Sequence, residues 1–359
     1  MNQPLIPGLT GQFLHAVQQY PGHFPARIIS QHKELYTVLT AEGEASAEPS
    51  GKLRYEAQSA ADLPAVGDFV MMDRSSSRNG NAIIHHMLPR KSAFIRRAAG
   101  TGGGVQVVAA NIDTVFICMA LNRDFNLRRL ERYLSIGWDS RAIPVVVLTK
   151  ADLCEDVNHL LAQAASVAIG VDLVVASGLS EETAASVRPY LKPDSTTAFI
   201  GSSGVGKSTL INALAGGQVM ATGATDEVGK GRHTTTRREL ILLPGGSCVV
   251  DTPGMRELGL EGADISKSFA DIDDLVSRCR FSDCTHTGEP GCAVGAAIEA
   301  GELDPLRLAS YQKLKKEARY ETMDSRQIEQ EKLSTMFAEF GGMKNARKYL
   351  QEQIKRKRR

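Results

Sequence analysis

The segment Gly201-Ser202-Ser203-Gly204-Val205-Gly206-Lys207-Ser208-Thr209 constrains this chain more than any other. It has the form G-x-x-x-x-G-K-[ST], which needs a buried strand before it and a helix after it. Both are present: Thr196-Thr197-Ala198-Phe199-Ile200 is a strand-like apolar run, and Leu210-Ile211-Asn212-Ala213-Leu214 continues into a helix. The glycines let backbone N–H groups turn toward phosphate oxygens, and the helix N-terminus adds partial positive charge. Lys207 is expected to reach the β- and γ-phosphates and serve catalysis, and Ser208 to place its hydroxyl on Mg²⁺. The whole stretch from Gly201 to Thr209 is therefore read as a phosphate cradle for a nucleoside triphosphate.

A second element sits before it. Pro144-Val145-Val146-Val147-Leu148 reads as a buried strand and runs into Thr149-Lys150-Ala151-Asp152. A carboxylate at such a strand end can accept from guanine N1–H and the N2 amino group, a donor pair that adenine lacks. Asp152 is thus expected to select guanine, with the Lys150 stem along the base. Ala176-Ser177, after the strand Val171–Val175, is a place where backbone at Ser177 can meet the base oxygen. After the phosphate loop, Cys248-Val249-Val250 leads into Asp251-Thr252-Pro253-Gly254. Asp251 is expected to hold Mg²⁺, usually through water, and the Gly254 amide to sense the γ-phosphate. Between them the polar segment Val228–Arg238 looks like a switch, with Thr235 favoured as the Mg²⁺ ligand and Thr234 the alternative.

The guanine-reading element precedes the phosphate loop, the reverse of an ordinary small GTPase. Parallel strands bring these loops together whatever their chain order, so circular permutation preserves the site. Met255 occupies the position after Asp-Thr-Pro-Gly where many GTPases carry a water-orienting Gln. A thioether cannot position water, so intrinsic hydrolysis is expected to be slow, with His233 the candidate substitute.

The flanking regions differ in pattern. Residues 1–20 are polar and read as a loose arm. From 21 to 99, short strands at 26–30, 35–39, 68–72 and 82–86 are punctuated by turn residues, which suggests an OB-like barrel. Such a barrel can bind RNA; Arg90, Lys91, Arg96 and Arg97 at its exit are read as solvated positions. Gly100–Gly104 reads as a flexible joint. Residues 105–260 alternate strands and helices (126–138 and 156–167 helical), a doubly wound α/β sheet with ligands at the strands' carboxyl ends.

Beyond it, Cys279, Cys284, His286 and Cys292 fall within fourteen residues as C-x4-C-x-H-x5-C, a complete Cys₃His set suited to one structural tetrahedral Zn²⁺. Helices are expected at 263–278 and 293–318, giving a helical zinc-binding domain over 261–340. The tail 341–359 is basic, with eight Lys and Arg from Lys344 onward against the single acid Glu352. Overall the formal net charge is only +1, so any affinity for nucleic acid must be local. The N-terminus lacks a secretion-signal pattern, no run of about 18 apolar residues exists, and the six cysteines form no secreted disulfide framework.

Taken together, T-K-A-D, G-S-S-G-V-G-K-S-T, G-R-H-T-T, D-T-P-G and the Cys₃His cluster, in that order, resemble the bacterial ribosome small-subunit-dependent GTPase A family over nearly the whole chain. That resemblance implies an N-terminal OB-fold, a circularly permuted GTPase and a zinc domain. It implies a cytoplasmic, monomeric enzyme that turns GTP into GDP and phosphate while bound to the small ribosomal subunit and its rRNA late in maturation, away from membranes. It also assigns His233 a catalytic role. The family commonly has Asn where this chain has Thr149, so one contact of Thr149 differs while guanine preference should persist through Asp152. Two other classes stand beside this reading: an ATPase of the phosphate-loop group, and a GTP-gated RNA-binding module with incidental hydrolysis.

Overall fold

The computed structural model describes residues 6–97, 105–176, 181–220, 239–251 and 265–321. Helix α1 (Gln12–Val17) precedes five strands, β1 (Phe24–His32), β2 (Leu35–Thr40), β3 (Gly43–Pro49), β4 (Phe69–Met72) and β5 (Ala82–Met87), with the short helix α2 (Gly51–Glu56) after β3. They pair in the order β1-β2-β3-β5-β4, and β1 closes on β4. Closure removes the unpaired edges that an open antiparallel sheet would expose, which makes this the expected OB-like barrel. Its interior is filled by alternating positions such as Ala26 and Ile28, Tyr36 and Val38, and Val70 and Met72.

Two expectations for this region are corrected. From Ile6 to Tyr20 the chain is no loose arm: Ile6 and Phe13 are buried with Phe69, Met71 and Leu88 on the barrel's other side. The apolar residues among polar ones are what anchor it. Arg90 and Lys91 are not simply solvated either. Arg90 grips the fully buried carboxylate of Asp68 (2.7 Å) and donates to the carbonyl oxygens of Ala61 and Leu63. Lys91 pairs with Asp113. A buried carboxylate without such a partner would cost several kcal/mol, roughly 3–5, so Arg90 belongs to the barrel's framework. Strands β6 (Ala93–Arg97) and β7 (Val105–Ala110) then pair antiparallel on either side of residues 98–104.

The next elements alternate as expected: β8 (Thr114–Ala120), α3 (Leu127–Asp139), β9 (Ile143–Thr149), α4 (Val157–Val167), β10 (Asp172–Val175), α5 (Glu181–Val187), β11 (Thr196–Gly201) and α6 (Lys207–Ala215). An antiparallel hairpin, β12 (Glu239–Leu242) with β13 (Cys248–Asp251), completes the sheet. Its spatial order is β10-β9-β8-β11-β13-β12, parallel except for β12. Central strands β8 and β11 are buried at every position, as layers on both faces require. β12 also pairs antiparallel with β1 at Ser30 and Glu239, so barrel and nucleotide sheet are continuous. Arg27, fully buried, crosses the same junction by donating to Thr196 Oγ1 (2.6 Å) and the Pro7 carbonyl (2.8 Å).

At the C-terminal end lie α7 (Ala270–Ser277), α8 (Ala293–Glu299) and α9 (Pro305–Glu321). The helix expected over 263–278 begins only at Ala270, and the one expected over 293–318 is two. Gly301, at φ 74°, ends α8 in the left-handed region, and Pro305 starts α9 at a position where a missing N–H does no harm. The tail 341–359 lies outside the described residues.

These C-terminal helices are locked to α3 by ions rather than by apolar packing alone. Arg307 of α9 donates to both carboxylate oxygens of Asp271 (2.8 Å each) and to Glu131 Oε1 of α3 (3.0 Å). Its remaining bond goes to the Ser268 carbonyl, and its plane lies over Phe269. Arg128 pairs with Glu131 and Asp304, and Arg132 with Glu317.

Candidate nucleotide site and metal centre

β11 ends in Gly201 and the chain turns through Gly204 and Gly206 before α6 begins at Lys207. All three glycines have positive φ, 148°, 74° and 102°. At Gly201 there is a second reason for glycine: a Cβ would drive into the Cys118 carbonyl of neighbouring β8. Left-handed glycines of this kind are what lets successive loop amides and a following helix N-terminus face one concavity. Lys207 reaches back along it, its ammonium donating to the carbonyl oxygens of Gly201 (2.9 Å) and Ser202 (2.8 Å). Ser203 and Gly204 form the turn between them, and Ser208 stands in the first turn of α6.

The expected guanine-reading element arrives from β9, two strands away. Thr149 ends that strand, and its hydroxyl donates to the Val205 carbonyl of the phosphate loop at 2.7 Å. This residue therefore ties the two loops together through the interior and makes its contact with protein. Lys150 then takes a left-handed backbone, φ 58°, which opens the short turn Ala151–Leu153. The Ala151 amide donates to the Ala176 carbonyl beyond β10, closing the third loop onto the second.

The result is a cavity of about 240 Å³ lined by Thr149, Lys150, Asp152, Leu153, Ala176 and Thr183 on one side. Val205, Gly206, Thr209, Leu210 and Ala213 line the other. Thus six residues singled out in the sequence (Thr149, Lys150, Asp152, Val205, Gly206 and Thr209) meet in one space, from chain segments more than fifty residues apart. Leu153, Thr183, Leu210 and Ala213 were not singled out. Their apolar or small side chains make them indistinguishable in sequence from ordinary helix positions.

Asp251 closes β13, with its backbone in register with Phe199 of β11 and Glu239 of β12. That puts it at the same carboxyl edge of the sheet as the phosphate loop, where an open α/β sheet holds its ligand. Ser177, His233, Thr234, Thr235, Gly254 and Met255 lie outside the described residues.

One contact to this site had no local sequence signal. Arg129, in the first turn of α3, donates from Nη1 to Ser202 Oγ at 2.8 Å, across 73 residues of chain. Asn126 caps that turn by accepting from the Arg129 amide.

The Cys₃His set also comes together. The ligand atoms of Cys279, Cys284, His286 and Cys292 all lie within 4.8 Å of one another. A tetrahedral Zn²⁺ with metal–sulfur bonds near 2.3 Å needs ligand separations of roughly 3.8 Å, so the donor set fits such an ion. Cys292 is also the N-cap of α8, its Sγ accepting from the Gly295 amide at 3.2 Å. His286, at φ 61°, and Gly291, at φ 80°, turn the short loop back on itself. Among the described residues no helix is long and apolar enough to cross a membrane.

Comparison with known proteins agrees with this geometry. The family model described as RsgA GTPase matches residues 87–261. "Small ribosomal subunit biogenesis GTPase RsgA 2" of Lactiplantibacillus plantarum is 50% identical over 342 residues, spanning 95% of this chain and 96% of that protein. Among solved structures, YjeQ from Thermotoga maritima superposes with a TM-score of 0.60 at 26% identity, over 82% of this chain and 98% of that one. YloQ, described as a circularly permuted GTPase, does so at 0.58, covering 84% and 97%; at 24% identity it speaks for the fold alone. A strand order that rebuilds the nucleotide site from permuted loops, and half-identity across nearly the full length of a relative, lead to one conclusion: this chain belongs to the RsgA GTPase family.

Proposed function

We propose that this protein hydrolyses GTP on the small ribosomal subunit, as a cytoplasmic monomer that contacts rRNA late in the subunit's maturation. The observation that carries the nucleotide half is the single cavity between the Thr149–Asp152 turn and the phosphate loop. The partner is supported by the printed name of the Lactiplantibacillus relative, a small ribosomal subunit biogenesis GTPase.

In this reading Asp152 accepts from the guanine edge, with Lys150 along the base and Ser177 backbone at the base oxygen. Amides from Gly201 to Thr209 carry the phosphates, and Lys207 gives up its two carbonyl partners for β- and γ-phosphate oxygens, a charge-assisted gain. Ser208, Asp251 and Thr235 would hold Mg²⁺, which draws charge from the phosphates as the γ-phosphoryl transfers to water. Gly254 senses the γ-phosphate and His233 acts beside it. Cys279, Cys284, His286 and Cys292 would hold one structural Zn²⁺ that stabilises a loop with too few apolar residues for a core of its own.

The test is hydrolysis of GTP and ATP in parallel, alone and with purified small subunits, for the wild type and Asp152→Asn. The expected result is a rate that rises with subunits for GTP only, and a loss of GTP affinity of ~100-fold in Asp152→Asn, from charged hydrogen bonds worth about 1.5–3 kcal/mol each. A rate indifferent to every ribosomal particle would break the partner assignment. An unchanged nucleotide preference in the variant would break the guanine assignment.

A further inference from the structure

Arg129 is a cation placed against the phosphate loop with no acid partner among the described residues. Its helix α3 carries three arginines within its first two turns, and two of them are spent on protein: Arg128 pairs with Glu131 and Asp304, Arg132 with Glu317. Arg129 instead donates to two neutral oxygens, Ser202 Oγ at 2.8 Å and the Asp124 carbonyl at 3.5 Å. Among the described residues no carboxylate pairs with it. A half-buried guanidinium with only neutral partners keeps most of its affinity for an anion, and a phosphate oxygen outcompetes a hydroxyl for it.

The position of Ser202 says which anion. Lys207 is the residue of a phosphate loop that meets the β- and γ-phosphates. Its ammonium lies on the carbonyls of Gly201 and Ser202, the first residues of the loop. Arg129 lies on the hydroxyl of that same Ser202. Two cations thus bracket one residue at the γ-phosphate end, while the cavity for the base lies at the other end, against Gly206 and Thr209. The chain also has Met255 where a water-orienting side chain is common, so stabilisation of transition-state charge is a contribution that gains weight beside the one expected of His233.

We propose that Arg129 is a catalytic arginine, carried by the chain itself, that leaves Ser202 Oγ for the non-bridging oxygens of the γ-phosphoryl group during hydrolysis. This rests on the GTPase reading above. In the step, water oxygen bonds to the γ-phosphorus as the bond to the β–γ bridging oxygen breaks. The electron pair leaves with GDP, the water proton ends on the released phosphate or in solvent, and Arg129 donates N–H bonds without changing its own charge. The arginine is held on a helix whose neighbouring charges clamp α9, so its approach is set by the fit of α3 against the C-terminal helices.

The experiment compares Arg129→Ala, Arg129→Gln and Arg129→Lys in the full chain. It measures single-turnover GTP hydrolysis with and without small subunits, affinity for a fluorescent GDP, and affinity for GDP plus aluminium fluoride. Arginines of this kind are worth about 10³–10⁵ in rate where measured. The expected result is GDP affinity within about threefold of wild type, hydrolysis slowed ~100-fold or more in the Ala and Gln variants, and loss of the aluminium fluoride complex. Lys should recover about a tenth of the rate, because it keeps the charge but not the fork. Gln recovering the rate, or GDP affinity falling as far as the rate does, would show that the residue only props the loop through Ser202. Wild-type rates in Arg129→Ala would also overturn the proposal. No GTP hydrolysis by the wild type itself would instead indict the GTPase reading.

Discussion

The ionic lock between α3 and the C-terminal helices gives the most demanding stability prediction. Glu131 is wholly buried and its Oε2 has no hydrogen-bond partner, while the Arg307 side chain is 6% exposed. Replacing Arg307 with Met keeps the stem over Phe269 but removes four hydrogen bonds to Asp271, Glu131 and Ser268. Breaking one side of a buried pair costs about 3–5 kcal/mol. Two features pull this case to the lower bound: Arg128 still holds Glu131 at 2.7 Å, and Asp271 is about a third exposed and can rehydrate. The expected loss is therefore ~3 kcal/mol. At a urea slope of roughly 2–3 kcal/mol/M, that lowers the midpoint by about 1 M or more. The single tryptophan, Trp138, reports it, because it ends α3 beside the Lys267 ammonium (5.3 Å) at the same junction. Adding Glu131→Leu to Arg307→Met should restore part of the loss, since it removes a buried carboxylate left with one of its two cationic partners and an unsatisfied Oε2. A midpoint for Arg307→Met within about 0.2 M of wild type, or a double variant as unstable as the sum of the singles, would refute the reasoning.

Three further outcomes follow from the geometry. Thr149→Val should weaken GDP and GTP binding together by about tenfold, because the Val205 carbonyl loses its donor at a cost of roughly 1–2 kcal/mol; Thr149→Asn should restore it, read by fluorescent-nucleotide titration. Chelation of the Cys₃His centre should release about one equivalent of zinc and open the chain to protease between Cys279 and Cys292, with GDP affinity unchanged. For Asp271, burial alone would raise the carboxyl, but hydrogen bonds and charge from Arg307 outweigh it and hold it below the usual range. Its contribution is then present above about pH 4 and lost as pH falls through the lower folded-state value, a slope that Arg307→Met should flatten in urea midpoints measured from pH 6 to 3.

How much of this was legible in sequence depended on whether a segment carries its own physical signature. β8, β9 and β11 are covered on both faces, so their apolar runs were unmistakable. β3, Gly-Glu-Ala-Ser-Ala-Glu-Pro, carries no such mark because its buried positions are Ala45, Ala47 and Pro49, a period-2 pattern of small residues ending in a proline. The phosphate loop and the Cys₃His cluster are local, and their spacing is their geometry. The long-range contacts left no such mark. Glu131 and Arg307 are 176 residues apart, and Glu131 sits among helix charges that suggest a solvated face. Arg90 looked solvated for the same reason, since its acid, Asp68, belongs to a different turn.

The permuted order has a structural consequence beyond preserving the site. In space the nucleotide sheet runs β10-β9-β8-β11-β13-β12, with the phosphate loop on β11 flanked by β8 and β13. β13 ends in Asp251, and from there the chain goes on to the helices that clamp α3. β12 begins at Glu239, directly after the expected switch segment, and its first residue is the one bonded to Ser30 of the barrel. In sequence, the segment carrying His233 and Thr235 runs between α6, whose N-terminus meets the phosphate loop, and β12, a strand shared with the barrel. The chain after that segment thus enters the strand paired with the barrel, and the chain after β13 leads on to the C-terminal helices. In an unpermuted chain the same loops would still meet the nucleotide, but β13 would lead back into the sheet. Permutation is thus a way to join two flanking domains to β12 and β13, at the edge of the sheet beside the phosphate-loop strand, without altering the parallel strands that carry the nucleotide loops.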